Sequence, residues 1–119
     1  MHTSYFRNWK NIPREKAVAI CQGVPKWYTG QRNLTLAPSW EMIHLKDPQE
    51  YERRYSIILS KLNPKKEYEA IEAMVGGNAI ILCWEKDRRD CHRLQVARWF
   101  EETLGIEVPE FPLMQPGLL

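Results

Sequence analysis

The run ILCWEKDRRDCHR, residues 81 to 93, closes a hydrophobic stretch with two cysteines, three acids, one histidine, one lysine and three arginines. A solvated turn needs charge, but not this mixture. Glu85 directly follows the apolar residues, where a buried strand would end at the mouth of a crevice. A carboxylate there can serve as a general acid or base, or as a nucleophile toward a sugar C1. Asp90 is an N-cap type, so Cys91, His92 and Arg93 read as the first residues of a helix. Backbone N–H groups at that position lack intrahelical partners, and the helix dipole is positive there, so an anion such as phosphate is favoured. The same field, with His92 and Arg93 alongside, would lower the pKa of the Cys91 thiol. Glu85, Cys91 and His92 are therefore candidate catalytic residues, and Arg93 is a candidate phosphate contact. Cys83, two positions before Glu85, would share its sheet face and is a candidate substrate contact. Bland readings stand beside these: Cys21 and Cys83 also fit small buried hydrophobes, and KDRRD also fits a solvated turn.

Two further stretches carry candidate substrate contacts. PKWYTG, residues 25 to 30, puts Lys26, Trp27 and Tyr28 in one loop. The rings could stack on a base while Lys26 meets phosphate. They could equally fold the loop onto the core. Arg54 flanks the apolar stripe of a helix, where it either snorkels or points into a site. Cys21, Cys83, Cys91 and His92 are ligand types that suit zinc. There is no CxxC, however, and adjacent Cys-His ligands are awkward, so no metal and no cofactor are expected.

The elements that must position these residues follow from patterning. HTSYF reads as a first strand and NIPREK as a turn. AVAIC, residues 17 to 21, is too short for a helix and reads as a buried strand. Residues 22 to 38 hold two Gly and two Pro without helical period, and read as one long loop of a length often tied to function. Helical patterning begins at Asp47, an N-cap with Pro48 at the first helical position. Tyr51, Tyr55, Ile58, Leu59 and Leu62 form its apolar stripe. After Asn63-Pro64 a second helix follows, with Tyr68, Ile71, Met74 and Val75 inward and Gly76-Gly77 closing it. AIILCW is apolar throughout and reads as a central strand covered on both faces. Leu94, Ala97, Phe100 and Leu104 give the last helix a buried face, capped by Gly105, and IEVPEF reads as an edge strand. This order predicts a single α/β domain over residues 1–119, a small, mostly parallel, Rossmann-like sheet flanked by helices. Residues 78 to 84 should form the central strand, parallel to residues 17 to 21. Ligands of such sheets bind beyond the carboxyl ends of the strands, where Cys21-Gln22 and Cys83 to Glu85 fall.

The chain has 119 residues, enough to bury one core without staples, and is 44% hydrophobic and 27% charged. Its net charge of +2 neither demands a nucleic-acid partner nor excludes a local basic patch. Three cysteines without scaffold spacing predict reduced thiols and a cytoplasmic location. No apolar run reaches spanning length and no leader pattern is read, so no membrane partner is expected. The sequence does not indicate an oligomeric state.

LCWEKDRRDCHRLQVARWF resembles the Cys-x-Glu, then Cys-His-Arg, signature of an uncharacterised family, domain of unknown function 488. HTSYF, VPKWYTGQRNLTLAPSW and YERRY resemble that family's first strand, loop and helix, so the likeness spans nearly the whole chain. The resemblance implies an α/β domain with an active site at Cys83, Glu85, Cys91, His92 and Arg93, and names no substrate. Many members place an Arg where Gln22 stands here, which weakens a charge-based phosphate contact at that position. Small stand-alone members occur in phage genomes, which makes a viral origin plausible. The expected function is a nucleotide- or nucleic-acid-processing enzyme, a hydrolase or transferase at a glycosidic or phosphoester bond. Its partner would be a phosphate-bearing small molecule or a nucleic acid. The competing expectations are a non-catalytic phosphate-binding module (a sensor or viral accessory protein) and a structural zinc domain.

Overall fold

The structure, a computed structural model, describes residues 1–85 and 92–111. Among the described residues, four short strands form one all-parallel sheet in the order β1 (His2–Tyr5), β4 (Ile80–Cys83), β2 (Ala17–Ala19), β3 (Gln31–Arg32). The predicted central strand is central: β4 pairs with β1 on one side and β2 on the other, with Ala17 opposite Ile80 and Tyr5 opposite Cys83. IEVPEF contributes a single parallel bridge, Thr3 to Glu110, rather than a full strand. Pro109 is tolerated there because it lies at the sheet edge and offers only its carbonyl, to Thr3 N at 3.0 Å.

Helices α2 (Pro48–Ser60), α3 (Pro64–Val75) and α4 (His92–Leu104) carry the helical layer. Asp47 caps α2 through Gln49 N at 2.9 Å, and Asn63 caps α3 through Lys66 N at 3.2 Å. Gly76 and Gly105 close α3 and α4 in the left-handed region, at φ 71° and 66°, which suits residues without a Cβ. The loop expected over residues 22–38 contains β3 and a 3-10 turn at Leu34–Leu36, and a short helix α1 (Trp40–Ile43) follows. Met74 is exposed rather than inward; Ile71 alone of that stripe is fully buried.

The two sheet faces differ. Val18, Ile20 and Ile81 pack against Tyr55, Leu59, Ile71, Val96 and Phe100, so α2, α3 and α4 cover one face. Ala17, Ala19, Ile80 and Leu82 face a cluster with Phe6, Ile12, Trp9 and Tyr28. That second face is covered by a 3-10 segment, Phe6–Asn11, and by the loop from residue 22. The packing there is close: a Cβ on Gly30 would collide with the Tyr28 ring and sit 2.9 Å from Ala17 Cβ. Among the described residues no helix is long and apolar enough to cross a membrane.

Candidate functional site

Parallel pairing brings the carboxyl ends of β2 and β4 to the same sheet edge, and a cleft of about 520 Å³ opens beyond them. Cys21 and Cys83 to Glu85 form its floor, and Tyr51 and Glu52 of α2 form one wall. His92, Gln95 and Arg98 line another wall; their spacing of three puts them on one stripe of α4. Gln95 Nε2 donates to Glu52 O at 2.9 Å and to Ser56 Oγ at 2.8 Å, which locks α4 against α2. Lys46, from the segment before α2, adds a second cation to that of Arg98.

Of the expected catalytic residues, Glu85 lies exposed in this cleft. His92 also lines it but is only 8% exposed. Its Nε2–H donates to the Ile20 carbonyl at 2.6 Å, because a carbonyl can only accept. The ring meets Tyr55 edge-on at 5.4 Å. Burial, and secondarily the Arg93 charge, push the His92 pKa down to about 4, against the opposing effect of that hydrogen bond. His92 is therefore neutral at pH 7 with its Nε2 proton committed to the fold. Cys91 lies outside the described residues, as does Asp90, the expected N-cap.

Arg93 takes a different role from the one its sequence position suggests. Its side chain is fully buried, at 0% exposure. Nε and Nη2 donate to the Glu110 carboxylate at 3.2 and 2.7 Å, a bidentate ion pair. Nη1 donates to Cys83 Sγ at 3.1 Å and to the Glu85 carbonyl, and the guanidinium lies 5.7 Å from the Tyr5 ring centre. Arg93 thus ties the edge segment at Glu110 to the end of β4 at Cys83 and to the Glu85 backbone. Its backbone belongs to the cleft's helix, but its charge is used inside the fold.

Cys83 is disulfide-bonded, and its bonding partner is not among the described residues. The expectation of reduced thiols fails at this position, because a disulfide requires proximity in space and not a scaffold spacing in sequence. Cys21 is free and buried; desolvation pushes its thiol up to about 12. Among the described residues no group of three or more His, Cys, Asp or Glu side chains is placed to hold a metal ion.

The loop residues lie away from the cleft. Tyr28 Oη accepts from Ala19 N at 3.0 Å and donates to Gln31 O, so Tyr28 fastens β3 to β2. Trp27 remains half-exposed, with one flank on Trp9 at 5.6 Å, and Lys26 beside it is exposed. Gln22 contributes its carbonyl to Arg32. Arg54 pairs with Glu50 at 2.9 Å along α2 and does not line the cleft. Sequence reasoning missed Lys46, Glu52, Gln95 and Arg98 as site residues and gave Trp84 no role although it falls within the strand end at Cys83 to Glu85. Gln95 and Arg98 are signalled by their helical spacing from His92; Lys46 and Glu52 reach the cleft through tertiary packing. No protein-family model, curated protein or solved structure matches this chain.

Proposed function

We propose that this chain is an enzyme that processes a nucleotide or nucleic acid, with Glu85 as the acid/base or nucleophile. The observation that carries the reading is an exposed carboxylate in a cleft beyond the carboxyl ends of parallel strands. The cleft also holds groups suited to the rest of such a ligand. Trp84 and Tyr51 offer rings to a base, while Lys46 and Arg98 offer charge to phosphate. They take the phosphate role expected of Arg93, whose guanidinium is engaged by Glu110. The positive end of α4 at His92 adds to their field. Glu52 gives the cleft a second carboxylate. Two carboxylates in one cleft suit acid/base work at a glycosidic or a phosphoester bond. Membership of domain of unknown function 488 and a cytoplasmic location belong to the same proposal. A cytosolic disulfide is exposed to a reducing pool, so binding is measured with and without reductant.

A specific observation supports a second reading, a non-catalytic phosphate-binding module. His92 and Cys83, two of the reactive groups at the site, are tied into the fold. Ligand-induced thermal stabilisation tests what both readings share. A panel of nucleoside mono- and diphosphates should include members that raise the melting temperature, and Lys46→Ala or Arg98→Ala should reduce that rise. Absence of any shift across the panel would overturn both readings. Turnover of the stabilising ligand, followed by mass spectrometry, decides between them.

A further inference from the structure

We propose that the sheet face opposite the three long helices is a landing surface for single-stranded nucleic acid, which passes over Trp27 and Trp84 toward the cleft. The proposal rests on the nucleotide reading above and deepens it, since the substrate becomes a strand rather than a free nucleotide.

The first support is charge. The net charge of +2 conceals a segregation: residues 1 to 40 contain six Lys or Arg and one acid, Glu15. Those residues supply the 3-10 segment Phe6–Asn11 and the loop from residue 22, the two pieces that cover the non-helical face. Lys16 is used internally, donating to Val75 O at 3.0 Å. Arg7, Lys10, Lys26 and Arg32 are exposed. Arg7 and Lys10 are three apart in a 3-10 segment, which puts them on one side of it, while Phe6 and Trp9 share another and pack inward.

The second support is a set of exposed rings whose backs are held. Trp27 is 49% exposed, Trp84 51% and Trp40 58%. Phe6 anchors two of them edge-on, Trp84 at 4.8 Å and Trp27 at 6.4 Å. Trp84 Nε1 donates to Gly23 O at 2.9 Å, and a Cβ built on Gly23 would lie 3.3 Å from the Trp40 ring. Two indoles therefore meet at Gly23, beside the Gln22 carbonyl that holds the Arg32 guanidinium. Trp84 also lines the cleft, so ring surface and cleft are continuous.

Ring faces set among cations are the recognition chemistry of unpaired bases on a phosphate backbone. A duplex keeps its base faces stacked away. A second copy of this chain, docked symmetrically, would press one basic face against another. Glu85 lies at the cleft end of the surface, where bases rather than phosphates would approach.

The test uses the full chain with labelled oligothymidylate and oligouridylate of about twelve nucleotides, read by fluorescence anisotropy. Thymidine monophosphate, read by thermal shift, monitors the cleft separately. An oligonucleotide should bind more tightly than the mononucleotide, and preference between the two strands reports whether the 2′-hydroxyl is read. Trp27→Ala should weaken strand binding at least about fivefold, with Trp27→Phe restoring most of it and the mononucleotide shift unchanged. Lys26→Ala should flatten the log–log salt dependence by about 0.7. Equal affinity for strand and mononucleotide would overturn the strand surface and leave the cleft reading standing. Strand binding that depends on Trp27, with no mononucleotide effect, would support the surface and count against the cleft reading. Binding insensitive to both variants, equally tight binding of duplex DNA, or no strand binding would each overturn the proposal. Should Trp27→Ala melt early, Lys26→Ala and Arg7→Ala at the exposed surface should still weaken strand binding, and full affinity in both would overturn the proposal.

Discussion

His92 should act as a pH-dependent stability element. Its pKa falls from 6.5 to about 4 on folding. The unfolded chain therefore binds a proton that the folded chain refuses, and stability falls as pH drops between those values. The neutral-His92 contribution is fully present above about pH 6.5 and exhausted below about pH 4. From pH 7.5 to pH 5 the loss integrates to about 2 kcal/mol. The perturbation is His92→Gln, which keeps an N–H donor for the Ile20 carbonyl and removes the titration. Urea unfolding followed by tryptophan fluorescence, at both pH values, gives the free energies. Carboxylates titrate in wild type and variant alike, so the difference between the two pH responses isolates His92. The variant should lose about 2 kcal/mol less than wild type on acidification. Equal pH responses would refute the assignment of His92 as a buried neutral donor.

Removing Glu110 with Glu110→Ala deprives the buried Arg93 of a bidentate carboxylate; since Glu110 is itself a third exposed, a loss of about 2 kcal/mol by urea unfolding is expected. Glu72→Ala removes the carboxylate that accepts from Asn78 N and Ala79 N at 2.8 and 3.0 Å and should cost about 1 kcal/mol in the same assay. Cys21, with its thiol pushed up to about 12, should resist alkylation in native protein at pH 8 and react once urea unfolds the chain; rapid native labelling at Cys21 would contradict its burial.

The sequence is most legible where local chemistry decides structure. Asp47, Asn63, Gly76 and Gly105 mark helix ends by side-chain capping or a left-handed backbone, and each mark matches the fold. β4 is legible because its apolar run is too short for a buried helix and suits a strand covered on both faces. β3 is not, since two exposed residues form a strand only through pairing with Val18 and Ala19. α1, one turn long and capped by Ser39, has no room for a periodic pattern. At the site, Glu85 reaches the cleft because strand ends meet at one edge, which follows from the element order. The role of Arg93 is hidden in the sequence because its partner Glu110 lies 17 residues away, on a segment brought alongside β1 only in the folded chain. The charge segregation is visible in the sequence alone. Its meaning needs the structure, which lays the Phe6–Asn11 segment and the loop from residue 22, with exposed Arg7, Lys10 and Lys26, over the sheet face away from the long helices.

Glu85 is proposed to carry chemistry on a nucleotide-containing substrate in this cleft. The most direct measurement incubates wild type and Glu85→Gln with a panel of nucleotides and oligonucleotides, and follows base or phosphate release by mass spectrometry. Wild type should turn over at least one member. Glu85→Gln, which keeps size and shape but removes the ionisable group, should bind that ligand and melt within a few degrees of wild type, while losing turnover at least about 100-fold. Turnover unchanged by the substitution, a Glu85→Gln protein that fails to fold, or a panel that wild type leaves intact would contradict the account.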